Sequence, residues 1–289
     1  MTQLQELSQS LSAAVDGVKA SIVSVGGKGS RSSGFVWRPG LVVTADEALA
    51  EDGAIEVRLP GGEAVGARLA GRDPTTDVAV LRIDRMDLPA CRLAALTPVA
   101  GALAIAVGAS GGAPVASLGI VSAASGPWRS MRGGEIDQRI DLDVSLRGSC
   151  EGGVVLDASG QAFGMAVLGP RKRALVIPTA TIERVAAKLE THGRIGRGYL
   201  GLGLHPVAVD GADGKGAIVL SVDPKGPAAQ AGMHQGDVIV AWNGEPVRRI
   251  QQVLRTLGPD SIGTKLALTV RRAGKTEQIA LEIGERPAA

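Results

Sequence analysis

The sequence predicts a mainly β protein built from two regions. Short apolar runs and period-two alternation recur between glycine-rich connections, a pattern of barrels and sandwiches rather than of βαβ units. The length of 289 residues exceeds one ordinary domain. The segment His192-Gly193-Arg194-Ile195-Gly196-Arg197-Gly198 marks the division, because it is glycine-rich and carries no apolar period.

The elements follow in order. Residues 1–20 read as an amphipathic helix, with Leu4, Leu11, Val15 and Val18 on one side. Ile55, Val57 and Leu59 alternate with polar neighbours before the turn Pro60-Gly61-Gly62. Val78 to Leu81, Ala104 to Val107 and Gly119 to Ser122 are runs expected to form buried strands. Thr181 to Glu190 reads as a helix closing the first region. The second region begins at Tyr199, with strands expected at Ala217 to Val222 and Asp237 to Trp242, the latter ending in the turn Asn243-Gly244. A short helix is expected at Ala228 to Ala231 and an amphipathic one at Val247 to Leu257. Leu266, Leu268 and Val270 face Ile279, Leu281 and Ile283 across Ala273-Gly274-Lys275, a hairpin with one buried face.

Composition narrows the function classes. Lys plus Arg is 31 and Asp plus Glu is 29, a net charge of +2, and neither region is strongly basic. With six aromatic residues in the chain there is no stacking platform, so a nucleic-acid partner is not expected. Arg171-Lys172-Arg173 is the one basic run and reads as a solvated loop. Cys91 and Cys150 are too few for a metal cage or a disulfide framework. Residues 93–128 hold no charge, but Pro98, Gly101, Gly108, Gly111, Gly112, Pro114 and Gly119 interrupt them, so buried strands are expected there and not a membrane span.

Several words in this order resemble one family. Ser33-Gly34-Phe35-Val36 resembles an "SGxxI" strand, and Leu41-Val42-Val43-Thr44 the strand leading to a catalytic histidine. Asp73-Pro74-Thr75-Thr76-Asp77-Val78-Ala79-Val80-Leu81 resembles the "DPxxDxAxLxI" segment that carries a catalytic aspartate. Gly119 to Ala123, Gly152-Gly153 with Gly164, and Ile177-Pro178 match further strands and spacings. Together they resemble the HtrA/DegP serine proteases. The resemblance implies a trypsin-like double β-barrel over residues 21–190, a linker at 191–198 and a PDZ domain over 199–286.

The same resemblance places the triad positions, and they are altered. Where the family reads "TNxHV", this chain reads Thr44-Ala45-Asp46-Glu47-Ala48, so Glu47 stands for the histidine. Where the family reads "GNSGGP", it reads Ser149-Cys150-Glu151-Gly152-Gly153-Val154, so Glu151 stands for the serine and Ser149 for an oxyanion-hole glycine. Asp77 alone is kept. His192, His205 and His234 all lie beyond residue 191, so no imidazole is present to relay a nucleophile's proton. A shift of register would make Cys150 a nucleophile, though nearby carboxylates would raise its pKa. Glu47, Asp77 and Glu151 are expected to converge. They would then oppose one another's ionisation, bind a cation, or pair with a base such as Arg147.

In the second region Tyr199-Leu200-Gly201-Leu202 resembles the PDZ carboxylate-binding loop, with Ile250, Val253 and Leu254 expected on the opposite wall. Expected partners are protein or peptide C-termini, added as a strand. The leading expectation is therefore a pseudoprotease acting as a peptide-binding scaffold or regulator. The alternatives are a hydrolase with altered chemistry, built on Cys150 or on the carboxylates, and a holdase-like chaperone. No cofactor and no metal site are assigned. Residues 2–20 leave room for a homotrimer, as in relatives. With no secretory leader in residues 1–20, a cytoplasmic chain is expected, or a periplasmic one if a leader has been removed.

Overall fold

The computed structural model describes residues 2–27, 30–50, 53–210 and 215–287. They form two compact units, Met1–Ser130 with Glu135–Ile195, and Met131–Gly134 with Gly196–Ala289.

The first unit opens with α1 (Gln3–Val18). Its N-terminus is capped reciprocally: the Gln5 N–H donates to the Thr2 hydroxyl, and the Thr2 N–H donates to the Gln5 side chain at 2.8 Å. Leu11, Ala14, Val15 and Val18 pack on the body, whereas Leu4 remains 78% exposed. Strands β1 (Ile22–Gly27), β2 (Ser30–Arg38), β3 (Leu41–Thr44), β4 (Ile55–Arg58), β5 (Ala64–Asp73) and β6 (Val78–Ile83) close a barrel in the order β1-β2-β3-β6-β5-β4. A second barrel uses β7 (Leu103–Ser110) and β8 (Ala113–Ser125). The ribbon β9 (Trp128–Arg129) with β10 (Glu135–Ile136) interrupts it before β11 (Arg139–Asp143), β12 (Val154–Leu156), β13 (Ala162–Leu168) and β14 (Ala174–Pro178). Its order is β11-β14-β13-β12-β7-β8. Helix α2 (Thr179–His192) ends at Gly193, which takes a left-handed φ of 72°.

Neighbouring residues of one strand serve different cores. Val36, Val42 and Leu81 point into the first barrel, while Phe35, Val43 and Val80 join a cluster shared with Val107, Met165, Ile177 and Leu189 of α2. Ala106, Val155, Phe163 and Val176 fill the second barrel. Burial on both faces explains why these strands read as continuous apolar runs instead of alternating ones. The charge-free stretch 93–128 folds as the β7–β8 hairpin and its approach. Among the described residues no helix is long and apolar enough to cross a membrane.

The second unit runs β15 (Gly198–Tyr199), β16 (Leu202–Ala208), β17 (Lys215–Val222), α3 (Pro227–Gln230), β18 (Val238–Trp242), β19 (Glu245–Pro246), α4 (Ile250–Thr256), β20 (Lys265–Arg272), β21 (Lys275–Glu282) and β22 (Gly284–Glu285). The sheet order is β16-β17-β18-β20-β21, with β19 on β18 and β15 on β22. Strand β16 is therefore an edge. Leu200, Val219, Ile239, Trp242, Leu268 and Leu281 form the core. Helix α4 is shorter than the pattern at Val247 to Leu257 predicts. Val247 is buried beside β18 in extended chain, its N–H bonded to the Val240 carbonyl at 2.9 Å, so the helix starts only after Arg249.

Candidate functional site

Two places gather the candidate residues, one in each unit. In the first unit, β3 delivers Asp46 and Glu47, the β5–β6 turn delivers Asp77, and a short 3-10 turn at Gly148–Cys150 delivers Glu151. Asp77 adopts a left-handed φ of 58°. Its Oδ1 accepts the Glu47 backbone N–H at 2.7 Å, which ties the end of β3 to the turn. The fold brings Glu47, Asp77 and Glu151 within electrostatic reach of one another. Burial pushes the Asp77 carboxyl up to about 7, and the charges of Glu47, Asp46 and Glu151 push the same way against the Glu47 N–H. Burial also raises the Glu151 carboxyl, with Glu47 adding to the rise and a backbone hydrogen bond at Leu168 opposing it. Glu47 itself is exposed. Among the described residues no three His, Cys, Asp or Glu side chains form a group that could hold a metal ion.

The turn carrying Glu151 is packed from beneath. The Ser33 hydroxyl donates to the Ser149 carbonyl and accepts from the Ala109 N–H, both at 2.7 Å. The Ser33 N–H donates to the Glu151 carbonyl, also at 2.7 Å. Gly152 has a φ of 79°, and a Cβ there would collide with the Ser33 carbonyl. Within the turn the Cys150 N–H bonds to the Arg147 carbonyl at 2.8 Å, and the Glu151 N–H to the Gly148 carbonyl at 3.1 Å. The Glu151 N–H is thus spent inside the loop.

Two expectations need correction here. Cys150 is fully buried among Ala104, Ala106 and Phe163, and burial raises its thiol pKa. A thiol without access to solvent, and held protonated, has neither the reach nor the charge of a nucleophile. Arg147 makes no ion pair among the described residues. The base beside the site is Arg72 of β5, whose Nε reaches the buried Asp46 at 2.5 Å. Nothing in the sequence pattern points to this pair, because its partners lie 26 residues apart, one just past the end of β3 and the other on β5. Ser33 was readable only as part of a strand word.

In the second unit, Tyr199 to Gly201 lead into the edge strand β16, and Gly201 has a φ of 77°. Leu200 is buried in the core, so only its backbone borders the loop. Its carbonyl accepts the Ala228 N–H at 2.9 Å, and the Gly201 carbonyl accepts the Asp223 N–H at 2.7 Å. Among the described residues the N–H groups of Leu200 and Gly201 have no acceptor. The loop therefore turns the Leu200 and Gly201 carbonyls inward, which points the Gly201 N–H, in the same peptide plane as the Leu200 carbonyl, the other way. Leu202 and Leu204 are half-buried on β16, Ile250 is half-buried on α4, and Leu254 is 53% exposed. Val253 does not line a wall: it is 5% exposed and packs in the core, one helical step from the face that Leu254 presents.

Comparisons with known proteins agree with this architecture. Residues 32–165 match the trypsin-like peptidase domain and residues 198–283 the PDZ domain. A probable periplasmic serine endoprotease DegP-like of Brucella suis biovar 1 is 34% identical over 275 residues, 89% of this chain and 53% of that protein. One of Pseudomonas fluorescens is 31% identical, over 89% of this chain and 57% of that protein. The chain spans about half the length of the curated relatives it matches. The serine endoprotease from Yersinia pestis superposes with a TM-score of 0.70 at 27% identity, covering 95% of this chain and 97% of that one. HtrA-type protease AlgW with tripeptide does so at 0.67 and 26%, covering 96% and 98%. The expectation of a cytoplasmic chain is overturned by these relatives, which are named periplasmic. A leader is cleaved from the mature protein, so its lack in a sequence carries no weight against that address. The chain is a trypsin-like peptidase domain followed by a PDZ domain, homologous to the DegP/HtrA serine endoproteases.

Proposed function

We propose that this chain is a periplasmic pseudoprotease, which no longer cuts peptide bonds and binds protein or peptide C-termini through its second unit. We take residues 21–190 as the protease-fold domain, 191–198 as the linker and 199–286 as the PDZ domain. The observation that carries the reading is the lack of any histidine in residues 1–191, with Glu47 and Glu151 at the positions that resemble the histidine and serine of the triad. Acyl transfer needs a nucleophile, a base that returns its proton, and donors for the oxyanion. Glu151 supplies a carboxylate in place of the hydroxyl, and its N–H is committed to Gly148. Support for peptide binding comes from the free donors of Leu200 and Gly201 beside an edge strand. A strand added to β16 would place its terminal carboxylate on those donors and an apolar side chain near Ile250 and Leu254.

The test has two arms on the full chain. Unfolded casein should not be cut above background, and a fluorophosphonate probe should leave no adduct. A peptide ending in a free apolar residue should bind with micromolar affinity, about −8 kcal/mol. Casein cleavage that travels with the protein and vanishes in Glu151→Ala would refute the first half. Binding weaker than millimolar for all C-termini would refute the second.

A further inference from the structure

We infer that Asp223 is a positioning residue for anion capture by the Tyr199–Leu202 loop, acting through a hydrogen bond to the Tyr199 hydroxyl. This rests on the reading of that loop as a carboxylate receiver.

Segment 223–228 forms a strap behind the loop. Its backbone holds both inward carbonyls, Asp223 N–H on Gly201 and Ala228 N–H on Leu200. Contact is close enough that a Cβ on Gly201 would stand 3.0 Å from the Gly226 Cα and 3.1 Å from the Asp223 Cβ. Asp223 is the node where the strap is fixed. Its Oδ1 accepts the Lys225 N–H at 3.0 Å, its carbonyl accepts the Gly226 N–H at 2.9 Å, and its Oδ2 accepts the Tyr199 hydroxyl at 2.8 Å. Tyr199 lies on β15, paired to β22, so the bond ties the strap to the strand that enters the loop. With both carbonyls fixed, the peptide planes they belong to keep their trans N–H groups, those of Gly201 and Leu202, turned to the opposite side, and the Tyr199–Asp223 bond fixes the strand that leads to the Leu200 N–H.

A carboxylate close to an anion receiver would by itself repel the ligand. Here two donors occupy Asp223, the Lys225 N–H and the Tyr199 hydroxyl, and hold its pKa below the usual range. The charge therefore persists and by itself opposes an anion, so the role inferred here lies in the hydrogen bonds and not in the charge. That separates two substitutions. Tyr199→Phe removes only the bond, whereas Asp223→Asn removes the charge, keeps one oxygen for the Lys225 N–H, and turns the other into an amide that can donate to the Tyr199 hydroxyl, so the tie is kept with its direction reversed.

The test compares a decapeptide ending in valine with its C-terminal amide, titrated into the full chain. Wild type is expected to favour the free acid. Tyr199→Phe should lose about fivefold of that preference, the worth of one hydrogen bond. Asp223→Asn should keep it or increase it, and so also serves as the folding control. Amide exchange supplies a readout without peptide: in Tyr199→Phe the Asp223 N–H should exchange faster, while the β20–β21 hairpin does not change. A wild type that favours the acid, with Tyr199→Phe favouring it equally, overturns this inference alone. Unchanged exchange at Asp223 does the same, as does an Asp223→Asn chain as impaired as Tyr199→Phe. A wild type that binds acid and amide alike overturns the carboxylate reading together with it.

Discussion

At the scale of single residues the acidic site works against its own charge. Asp77 is expected to hold its proton in the folded chain up to about pH 7, against a value of 3.8 when unfolded. A raised folded pKa means that the folded state binds more protons between those limits. Stability from this group is therefore full below about pH 3.8, declines as pH rises, and is lost above about 7. Asp77→Asn keeps the acceptor for the Glu47 N–H and suits the left-handed φ of 58°. It should raise stability at pH 8 by on the order of 1–2 kcal/mol and add nothing at pH 3.5. Denaturant titrations at the two pH values measure it. Equal or lower stability at pH 8 would mean that the carboxylate is paired rather than opposed. The position of Asp77 and the opposition of Glu47 and Glu151 were legible in the sequence, but the largest cause, burial, was not, nor was the charge of Asp46.

At the scale of elements, turns test the backbone. The β20–β21 register pairs Arg272 with Lys275, which leaves Ala273 and Gly274 as a two-residue loop with φ of 46° and 79°. Both residues are left-handed, as the favoured hairpin turn requires. Asn243-Gly244 solves the same problem with φ of 47° and 83°. Alanine carries a Cβ penalty there that asparagine largely escapes. Ala273→Asn should therefore stabilise the second unit by about 0.5–1 kcal/mol. Thermal unfolding checks this, and a lowered Tm would mean that Ala273 is held by something beyond the turn. Strands and hairpins of this kind were readable because apolar spacing and turn residues act locally. Helix α4 was overextended in the sequence reading because Val247 fits an amphipathic helix as well as it fits the extended chain beside β18.

At the scale of the whole molecule, the proposed reading predicts that a histidine at 47 and a serine at 151 do not by themselves make a protease. Glu47→His with Glu151→Ser would supply imidazole and hydroxyl near Asp77. However, the Gly148–Cys150 turn, anchored by Ser33, still commits the N–H of residue 151 to the Gly148 carbonyl. Removing one oxyanion donor costs about 10²–10³ in kcat. The double variant should therefore stay that far below a triple variant that adds Ser149→Gly, which frees the turn to reorganise. Casein turnover by the two variants compares them directly. Equal rates would show that the turn is no obstacle.

The sequence by itself determined the two β-rich regions, the glycine-rich junction and the loss of every imidazole from the first 191 residues, because these are matters of composition, local spacing and turn chemistry. It also pointed to the convergence of Glu47, Asp77 and Glu151, whose charges do reach one another in the fold. Only the tertiary structure decided that Cys150 is sealed in the second barrel and that Val253 belongs to the core. It alone joined Asp46 to Arg72, Ser33 to the Glu151 turn, and Asp223 to Tyr199. The reason is physical: burial and pairing across strands depend on which distant segments close the barrels and sheet, and a one-dimensional period shows the face a residue takes but not the neighbour it meets there.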